Sequence, residues 1–167
     1  AQGVEGIAVG LSTKIMPHNF LELIDASISI LKGRGMKVYP DFTTGGIADF
    51  SHYKDGKRGG KIKVRARIEQ VDSKQLKITE IPFATTTSSL IESIIRANEK
   101  GKIKIKKIED NTAEFVEIII HLPAGVPPDK MIDALYAFSD CEISISPNAC
   151  IIKDDKPYFM SVSEILK

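Results

Sequence analysis

Three stretches of the chain carry apolar residues at helical spacing. The first begins after Asn19, which can cap a helix, and repeats apolar residues every three or four positions. The second covers about residues 87–99 and is capped by Ser89 with Glu92, or by an earlier threonine. The third is PPDKMIDALYAFS, whose prolines suit a first helical turn. ADFSHYK is compatible with a further short helix.

Other stretches carry the period of two that is typical of strands. Residues 61–71 alternate strictly between apolar and charged positions, which predicts a half-buried strand. A turn at residues 72–74 joins it to QLKITEIPF and predicts a hairpin. Further predicted strands are IKIKKIED, EFVEIIIHLP, CEISIS, ACIIK and PYFM. The expected fold class is therefore α+β, with a mixed, largely antiparallel sheet and helices packed on one face.

Composition narrows the class of protein. The 167 residues are 43% hydrophobic and 27% charged, as expected for one ordinary domain or one domain with an appendage. No long apolar run and no basic leader is present, so we expect no membrane partner. Cys141 and Cys150 lack a CxxC spacing, which favours a reduced, cytoplasmic protein. The start at Ala1 and a capping box at the last residues, SVSEILK, suggest a fragment of a longer chain.

Catalytic and metal-binding patterns are weak. The three histidines, His18, His52 and His121, lie far apart without metal-ligand spacing, and no G-x-S-x-G elbow occurs. His18 and His121 are expected to have structural roles. The segment GVEGIAVGLSTKIMPHN has three glycines but matches neither G-x-G-x-x-G nor a P-loop. A phosphate-binding loop there, with Ser12, Thr13 and Lys14 as contacts, stays a minor alternative.

Charge is concentrated although the net charge is only +1. Residues 54–67 hold seven basic residues and one acid, and residues 100–107 hold five basic residues and no acid. On the outward face of the predicted strand the basic side chains lie in a row, instead of pairing with acids. The pattern predicts either a solvated surface or a face that binds a polyanion through phosphates, without sequence readout.

The string GIAVGLSTKIMPHNFLELIDA resembles a segment found in the A subunits of bacterial type IIA topoisomerases (DNA gyrase and topoisomerase IV). The resemblance continues through YPDFTTGG, DGKRGGKIKVRARIE, ITEIPF and CEISIS, and so covers nearly the whole chain. It implies a wedge segment at residues 1–18 leaving the winged-helix domain and a tower domain at residues 19–160. Residues 161–167 would begin a truncated helix that leads to a coiled coil.

The resemblance implies that Ile7 is a wedge which inserts between base steps and bends the gate DNA. The flanking Gly6 and Ala8 would make a slim ribbon, and the apolar tip would gain from burial between bases. The alternative is that Ile7 is an ordinary core residue. The tower of this family supports the DNA arms with basic side chains. That role carries over to Lys57, Arg58, Lys61, Lys63, Arg65 and Arg67, and to Lys102, Lys104 and Lys106 of the second predicted basic strand.

The chemistry of such an enzyme would lie elsewhere in the parent protein. The family's catalytic tyrosine lies upstream, and none of Tyr39, Tyr53, Tyr136 and Tyr158 occupies its motif. The resemblance therefore implies no catalytic residue, metal or cofactor in this chain. It implies a B subunit that brings Mg²⁺ and ATP, a second copy of the parent chain, and double-stranded DNA as partners of the parent. Two departures from the family pattern are Thr43, where many relatives have proline, and the neutral ATTTSS loop. The competing hypothesis is a non-catalytic RNA- or DNA-binding α+β scaffold.

Overall fold

The computed structural model describes all residues from 1 to 167, and they form two compact units. Unit 1 comprises residues 1–42, 49–62 and 144–167, and unit 2 comprises residues 43–48 and 63–143. The helices are α1 (Phe20–Leu31), α2 (Thr87–Glu99), α3 (Pro128–Phe138) and α4 (Val162–Ile165). The strands are β1 (Val4–Ala8), β2 (Leu11–Ile15), β3 (Ile47–Asp49), β4 (Ile62–Arg65), β5 (Arg67–Gln70), β6 (Gln75–Glu80), β7 (Lys107–Asp110), β8 (Ile118–His121), β9 (Glu142–Ile145), β10 (Cys150–Lys153) and β11 (Lys156–Phe159).

Unit 2 has a core between one face of a sheet and two helices. Its four strands pair in the order β5-β6-β8-β7, and the pairings are antiparallel. The register places Leu76 opposite Ile120 and Ile78 opposite Ile118, so these four fully buried side chains share a face. They pack in one cluster with buried residues of α2 and α3, such as Leu135. This arrangement confirms the predicted α+β class with helices on one face.

Unit 1 contains two antiparallel hairpins, β1–β2 and β10–β11. Its aromatic residues cluster, with the rings of Tyr39 and Phe50 5.3 Å apart and those of Phe50 and Tyr53 5.8 Å apart. His18 is buried, and its Nδ1 donates to the Met16 carbonyl at 2.8 Å, so the predicted structural role of this histidine is confirmed. Burial lowers the pKa of His18, which favours the neutral ring.

The helix predictions are largely confirmed. Asn19 caps α1, and its side chain accepts from the Leu21 and Glu22 amides. The cap of α2 is the earlier threonine, Thr86, and its capping-box partner is Ser89 instead of Glu92. ADFSHYK is not a helix, because it begins in β3 and continues through turns. None of the four helices is both long and apolar enough to cross a bilayer.

Two predicted strands are shorter than the sequence indicated. The alternating segment breaks at Ala66, whose amide donates to the Cys141 carbonyl at 2.7 Å and whose carbonyl accepts from the Tyr136 hydroxyl at 2.8 Å. The segment is therefore divided into β4 and β5. IKIKKIED forms a strand only from residue 107, since the Ile105 amide donates to the Asn98 side chain instead of a neighbouring strand.

Glu80 links a glycine turn to β5 within unit 2. Its Oε2 accepts from the Gly46 amide at 2.6 Å and from Arg67 Nε at 3.0 Å. The turn depends on glycine, because both Gly45 and Gly46 have positive φ and a Cβ on Gly45 would lie 2.7 Å from the Glu80 carboxyl carbon. The Gly46 amide, and next the Arg67 guanidinium, lower the pKa of Glu80.

We expect Glu80→Gln to lower the free energy of unfolding by about 1 kcal/mol at neutral pH, because it weakens two charge-assisted hydrogen bonds at a partly exposed site. Since the folded-state pKa is lowered, this contribution is present above the ordinary glutamate pKa and is lost as the pH falls through the folded value. Urea unfolding at neutral and acid pH measures the difference. Glu114→Gln, at an exposed glutamate of the same unit, is the control. A difference between Glu80→Gln and the unmodified chain that persists in acid would contradict this assignment.

Candidate nucleic-acid interface

The segment that carries Ile7 forms a tight hairpin. Strands β1 and β2 pair from Val4 opposite Ile15 to Ala8 opposite Leu11, which leaves only Val9 and Gly10 in the turn. Gly10 has a φ of +77°, a conformation that favours glycine. The glycine-rich segment therefore forms a β-ribbon, which does not enclose a phosphate.

The two faces of this hairpin differ in exposure. One face carries Ile7 opposite Ser12 and Glu5 opposite Lys14, and the Glu5 and Lys14 side chains form an ion pair at 3.2 Å. The other face carries Leu11, Thr13 and Ile15, which are half-buried. Ile7 is 88% exposed, so the alternative that it belongs to the core is wrong.

Main-chain bonds on β2 hold the hairpin in unit 1. Lys14 and Asn148 exchange backbone hydrogen bonds of 2.8 and 3.0 Å. The Thr13 hydroxyl accepts from the Cys150 amide at 3.1 Å, and the Asn148 side-chain amide donates to the Ser12 carbonyl at 2.8 Å. Because β2 makes these bonds, β1 and the turn can project without packing support.

Gly3, which precedes β1, and Gly6, which lies in β1, differ in how closely other atoms approach them. A Cβ at Gly3 would lie 2.4 Å from the Ile15 carbonyl oxygen, so the close approach of the chain requires glycine there. A Cβ at Gly6 would make only an ordinary contact, 3.8 Å from the Thr13 methyl group. Packing therefore does not demand Gly6, and its effect is to keep the ribbon slim beside Ile7.

A second apolar side chain, Val9, lies at this tip, and the sequence patterns did not predict a role for it. Val9 has a relative exposure of 104%, which means that no other residue of this chain covers it. The available signal was its position, since Gly, Pro, Asn, Asp and Ser dominate turns and an apolar residue is unusual in a two-residue hairpin turn.

A groove of about 600 Å³ lies in unit 1 at the hairpin tip. Its lining includes Gly10 and Ser12 from the hairpin, Arg58 and Gly59 from the basic turn, and Asn148. Arg58 is the charged residue of this lining. The groove therefore has positive charge within the same cleft as the turn of the hairpin.

The basic candidates of unit 1 differ in their partners. Lys57 pairs with Glu164 at 3.0 Å, whereas Arg58 and Lys61 are exposed and make no ion pair. The pKa of Glu164 is lowered to about 2, first by the Ser161 amide and then by Lys57. Ser161 and Glu164 form the predicted capping box of α4, so Lys57 also stabilises a helix start.

The basic candidates of unit 2 are paired with acids, and the expectation of an unpaired row is wrong for them. Arg65 Nε lies 2.5 Å from Glu142 Oε2, and Lys63 lies 4.0 Å from the other oxygen of the same carboxylate. Arg67 is paired with Glu80. Arg65 also lies over the Tyr136 ring, 4.9 Å from its centroid. Three of the cations that alternate along residues 61–67 are thus partly neutralised.

Lys102 and Lys104 lie in the connection between α2 and β7, not on a strand as the sequence indicated. Lys102 Nζ lies 5.8 Å from the centroid of the Phe138 ring. Lys104 and Lys106 are exposed and make no ion pair. Farther along, the predicted structural role of His121 is confirmed by its contact with Glu109 at 3.0 Å.

Comparison with known proteins places these features in a family context. Residues 1–167 match the model of the family formed by the A subunits of DNA gyrase and topoisomerase IV. The A subunit of DNA topoisomerase 4 from Borreliella burgdorferi is 46% identical over 166 residues, which are 99% of this chain and 26% of that protein. The DNA gyrase A subunit of Lawsonia intracellularis is 33% identical, over 98% of this chain and 22% of that protein. The chain thus spans about a quarter of the length of these relatives.

Ile7 and Thr13 should differ in their effects on stability. We expect Ile7→Ala to change the free energy of unfolding by less than about 0.5 kcal/mol, because the side chain is exposed. Thr13→Val should cost about 1 to 2 kcal/mol, because the Cys150 amide loses its acceptor. Urea unfolding of the two variants measures both effects. A destabilisation by Ile7→Ala that equals that of Thr13→Val would show that Ile7 packs against the protein.

Proposed function

Because the chain belongs to the family of DNA gyrase and topoisomerase IV A subunits, we propose that it is the DNA-bending part of such a subunit in an ATP-dependent type IIA topoisomerase. This proposal rests mainly on the β1–β2 hairpin, which is held by main-chain hydrogen bonds and exposes Ile7. The parent enzyme would cleave both strands of one duplex, pass a second duplex through the gap and rejoin the strands.

Ile7 is the proposed wedge. An apolar side chain that enters a base step from the minor groove unstacks it at a cost of a few kcal/mol and kinks the duplex by about 20–90°. The main-chain bonds of β2 would resist the reaction force on the hairpin. Glycine and alanine beside Ile7 leave its side chain uncovered, so that only the tip of the ribbon would have to enter the minor groove, which is about 6 Å wide.

Phosphate contacts would support the arms of the bent duplex. The basic candidates differ in whether they already form an ion pair, and this sets how much each can contribute. Arg58, Lys61 and Lys104 can meet a phosphate without leaving a carboxylate. Lys57, Lys63, Arg65 and Arg67 would have to exchange an existing partner, so each should contribute less. Lys102 already lies over an aromatic ring. Residues 1–18 would be the wedge segment, residues 19–160 the tower and residues 161–167 the start of a helix toward the coiled coil.

The covalent chemistry is proposed to belong to other parts of the parent. Tyr53 and Tyr136 are poor nucleophiles, because burial raises the pKa of each phenol. The Tyr53 hydroxyl lies 3.4 Å from His18 Nε2, and that of Tyr136 donates to a carbonyl. No three His, Cys, Asp or Glu side chains come together as metal ligands. A B subunit would supply Mg²⁺ and ATP, and a second copy of the parent chain would complete the cytoplasmic enzyme.

Family membership does not favour the alternative of a stand-alone nucleic-acid-binding scaffold. Between the two enzymes of the family, the sequence favours topoisomerase IV over gyrase. One topoisomerase IV protein is 46% identical, which supports that choice, whereas three others are 31–34% identical, about the same as the gyrase proteins at 31–33%.

In the full-length parent chain with its B subunit, Ile7→Ala should reduce DNA bending and cleavage while binding at low salt stays nearly unchanged. The reason is that the wedge acts on the kink and the phosphate contacts dominate affinity. Energy transfer between dyes on the two duplex arms measures the bend. Ile152→Ala, the same change at an exposed isoleucine of the other hairpin in unit 1, is the control. An unchanged bend for Ile7→Ala would rule out the wedge.

The salt dependence of binding tests the phosphate contacts. Replacing both Arg58 and Lys61 by glutamine should flatten the slope of log affinity against log salt by about 0.9 for each lost contact. Replacing both Lys32 and Arg34, two exposed cations of unit 1, removes the same charge and serves as the control. Equal slopes for the two double variants would mean that only net charge matters.

A further inference from the structure

We propose that Val9 is a second apolar DNA contact, which packs against deoxyribose and base edges in the minor groove beside the step that Ile7 opens. The inference rests on the proposed function, since it assigns a further residue to the same DNA-bending hairpin. Two side chains near the tip of the hairpin, Ile7 and Val9, would then share the contact with DNA.

The first argument is that the apolar side chain of Val9 is exposed to water in the free protein, which is unfavourable. Val9 is fully exposed, and neither its burial nor a contact explains an apolar side chain at this position. The backbone at Val9 does not adopt a positive φ, so the turn geometry tolerates valine there, but a polar side chain would be better solvated. The chain thus keeps an apolar group where folding alone favours a polar one.

The second argument is the chemistry of the tip. The run Ile7, Ala8, Val9 and Gly10 has no polar side chain, so it offers no hydrogen bonds for reading bases. A surface of this kind fits the sugar edges and base edges in the minor groove of a widened step, whatever its sequence. Arg58 lines the groove that also includes Gly10, which places positive charge close to the same tip. Apolar contact beside an unpaired cation favours a nucleic acid over an apolar protein surface.

The third argument is spacing. Two residues span at most about 7 Å, so Val9, in the turn, lies within that distance of Ile7. Successive base pairs are about 3.4 Å apart along the duplex. Val9 therefore reaches the steps that neighbour the one opened by Ile7, where the groove is still widened by the kink. It contacts the side of the groove and does not intercalate at the same step.

The test uses two variants of Val9 in the full-length parent chain with its B subunit. Val9→Thr keeps the β-branched shape and replaces a methyl group with a hydroxyl, whereas Val9→Asn introduces a polar side chain that is common in turns. At limiting enzyme, both variants should reduce the fraction of duplex that is bent, and the fraction that is cleaved, by about fivefold. This is the effect expected when part of one buried apolar side chain is lost. Thermal unfolding of both variants should stay close to that of the unmodified protein. If one variant folds poorly, the other still decides the result.

Val71→Thr is the matched control, because Val71 is also an exposed valine at the turn of a hairpin, in unit 2. It should leave bending unchanged. The double variant of Ile7→Ala with Val9→Thr should show a combined loss that differs from the product of the single losses, because the two side chains act on neighbouring steps.

The outcomes separate this inference from the proposed function. If Ile7→Ala reduces bending and both Val9 variants bend DNA normally, the wedge stands and the role of Val9 is overturned. If Ile7→Ala also bends DNA normally, the proposed function itself fails. If the Val9 variants bend DNA normally but lose assembly with the B subunit or with the second copy of the parent chain, the tip is a protein contact and the inference is likewise overturned.

Discussion

The exposed tip of the first hairpin depends on the backbone exchange between Lys14 and Asn148. An apolar side chain such as Ile7 gains from any contact that removes it from water, so a free loop would fold back onto the protein. The two main-chain bonds, with the Cys150 amide donating to the Thr13 hydroxyl, fix β2, and β1 is held in place by its pairing with β2. Because β2 is fixed, the direction of the Ile7 side chain is fixed too: the pairing of Ile7 with Ser12 places it on the outward face of the hairpin. The exposure of the tip is thus a consequence of strand register.

The second constraint is electrostatic. A row of unpaired cations would repel itself in the free protein, and the fold reduces this repulsion with carboxylates from the next strand, β6, and from the distant strand β9. Antiparallel pairing of β5 and β6 places Glu80 opposite Arg67, and Glu142 on β9 lies against Arg65. Exposed ion pairs of this kind are weak, so a phosphate can displace the carboxylate at little cost. In unit 2 the ion pairs therefore hold these cations in place, whereas in unit 1 the unpaired Arg58 and Lys61 are free to attract an anion.

The sequence predicts local structure here better than long-range contacts. Helix caps depend on residues three apart, so Asn19 and the Ser161–Glu164 capping box could be identified directly. The break at Ala66 depends on Tyr136 and Cys141, about seventy residues away, and alternation of apolar residues carries no information on such partners. Ile7 could be assigned only by resemblance, because periodicity does not distinguish an exposed isoleucine from a core one. Val9 could have been noticed from turn preferences alone.

The magnitudes limit what one wedge residue can do. Full burial of an isoleucine contributes about 1.5 to 3 kcal/mol, whereas unstacking a base step costs a few kcal/mol, so the two terms nearly cancel. The elastic cost of bending the flanking duplex, of order 1 to 6 kcal/mol, then needs another source. Phosphate contacts can supply it, because bending brings more of the backbone against basic side chains. This accounting explains why an exposed wedge and unpaired cations occur on the same unit. Under the proposed function, Ile7 would select where the duplex kinks, and phosphate contacts by cations such as Arg58 would determine how far the kink is stabilised.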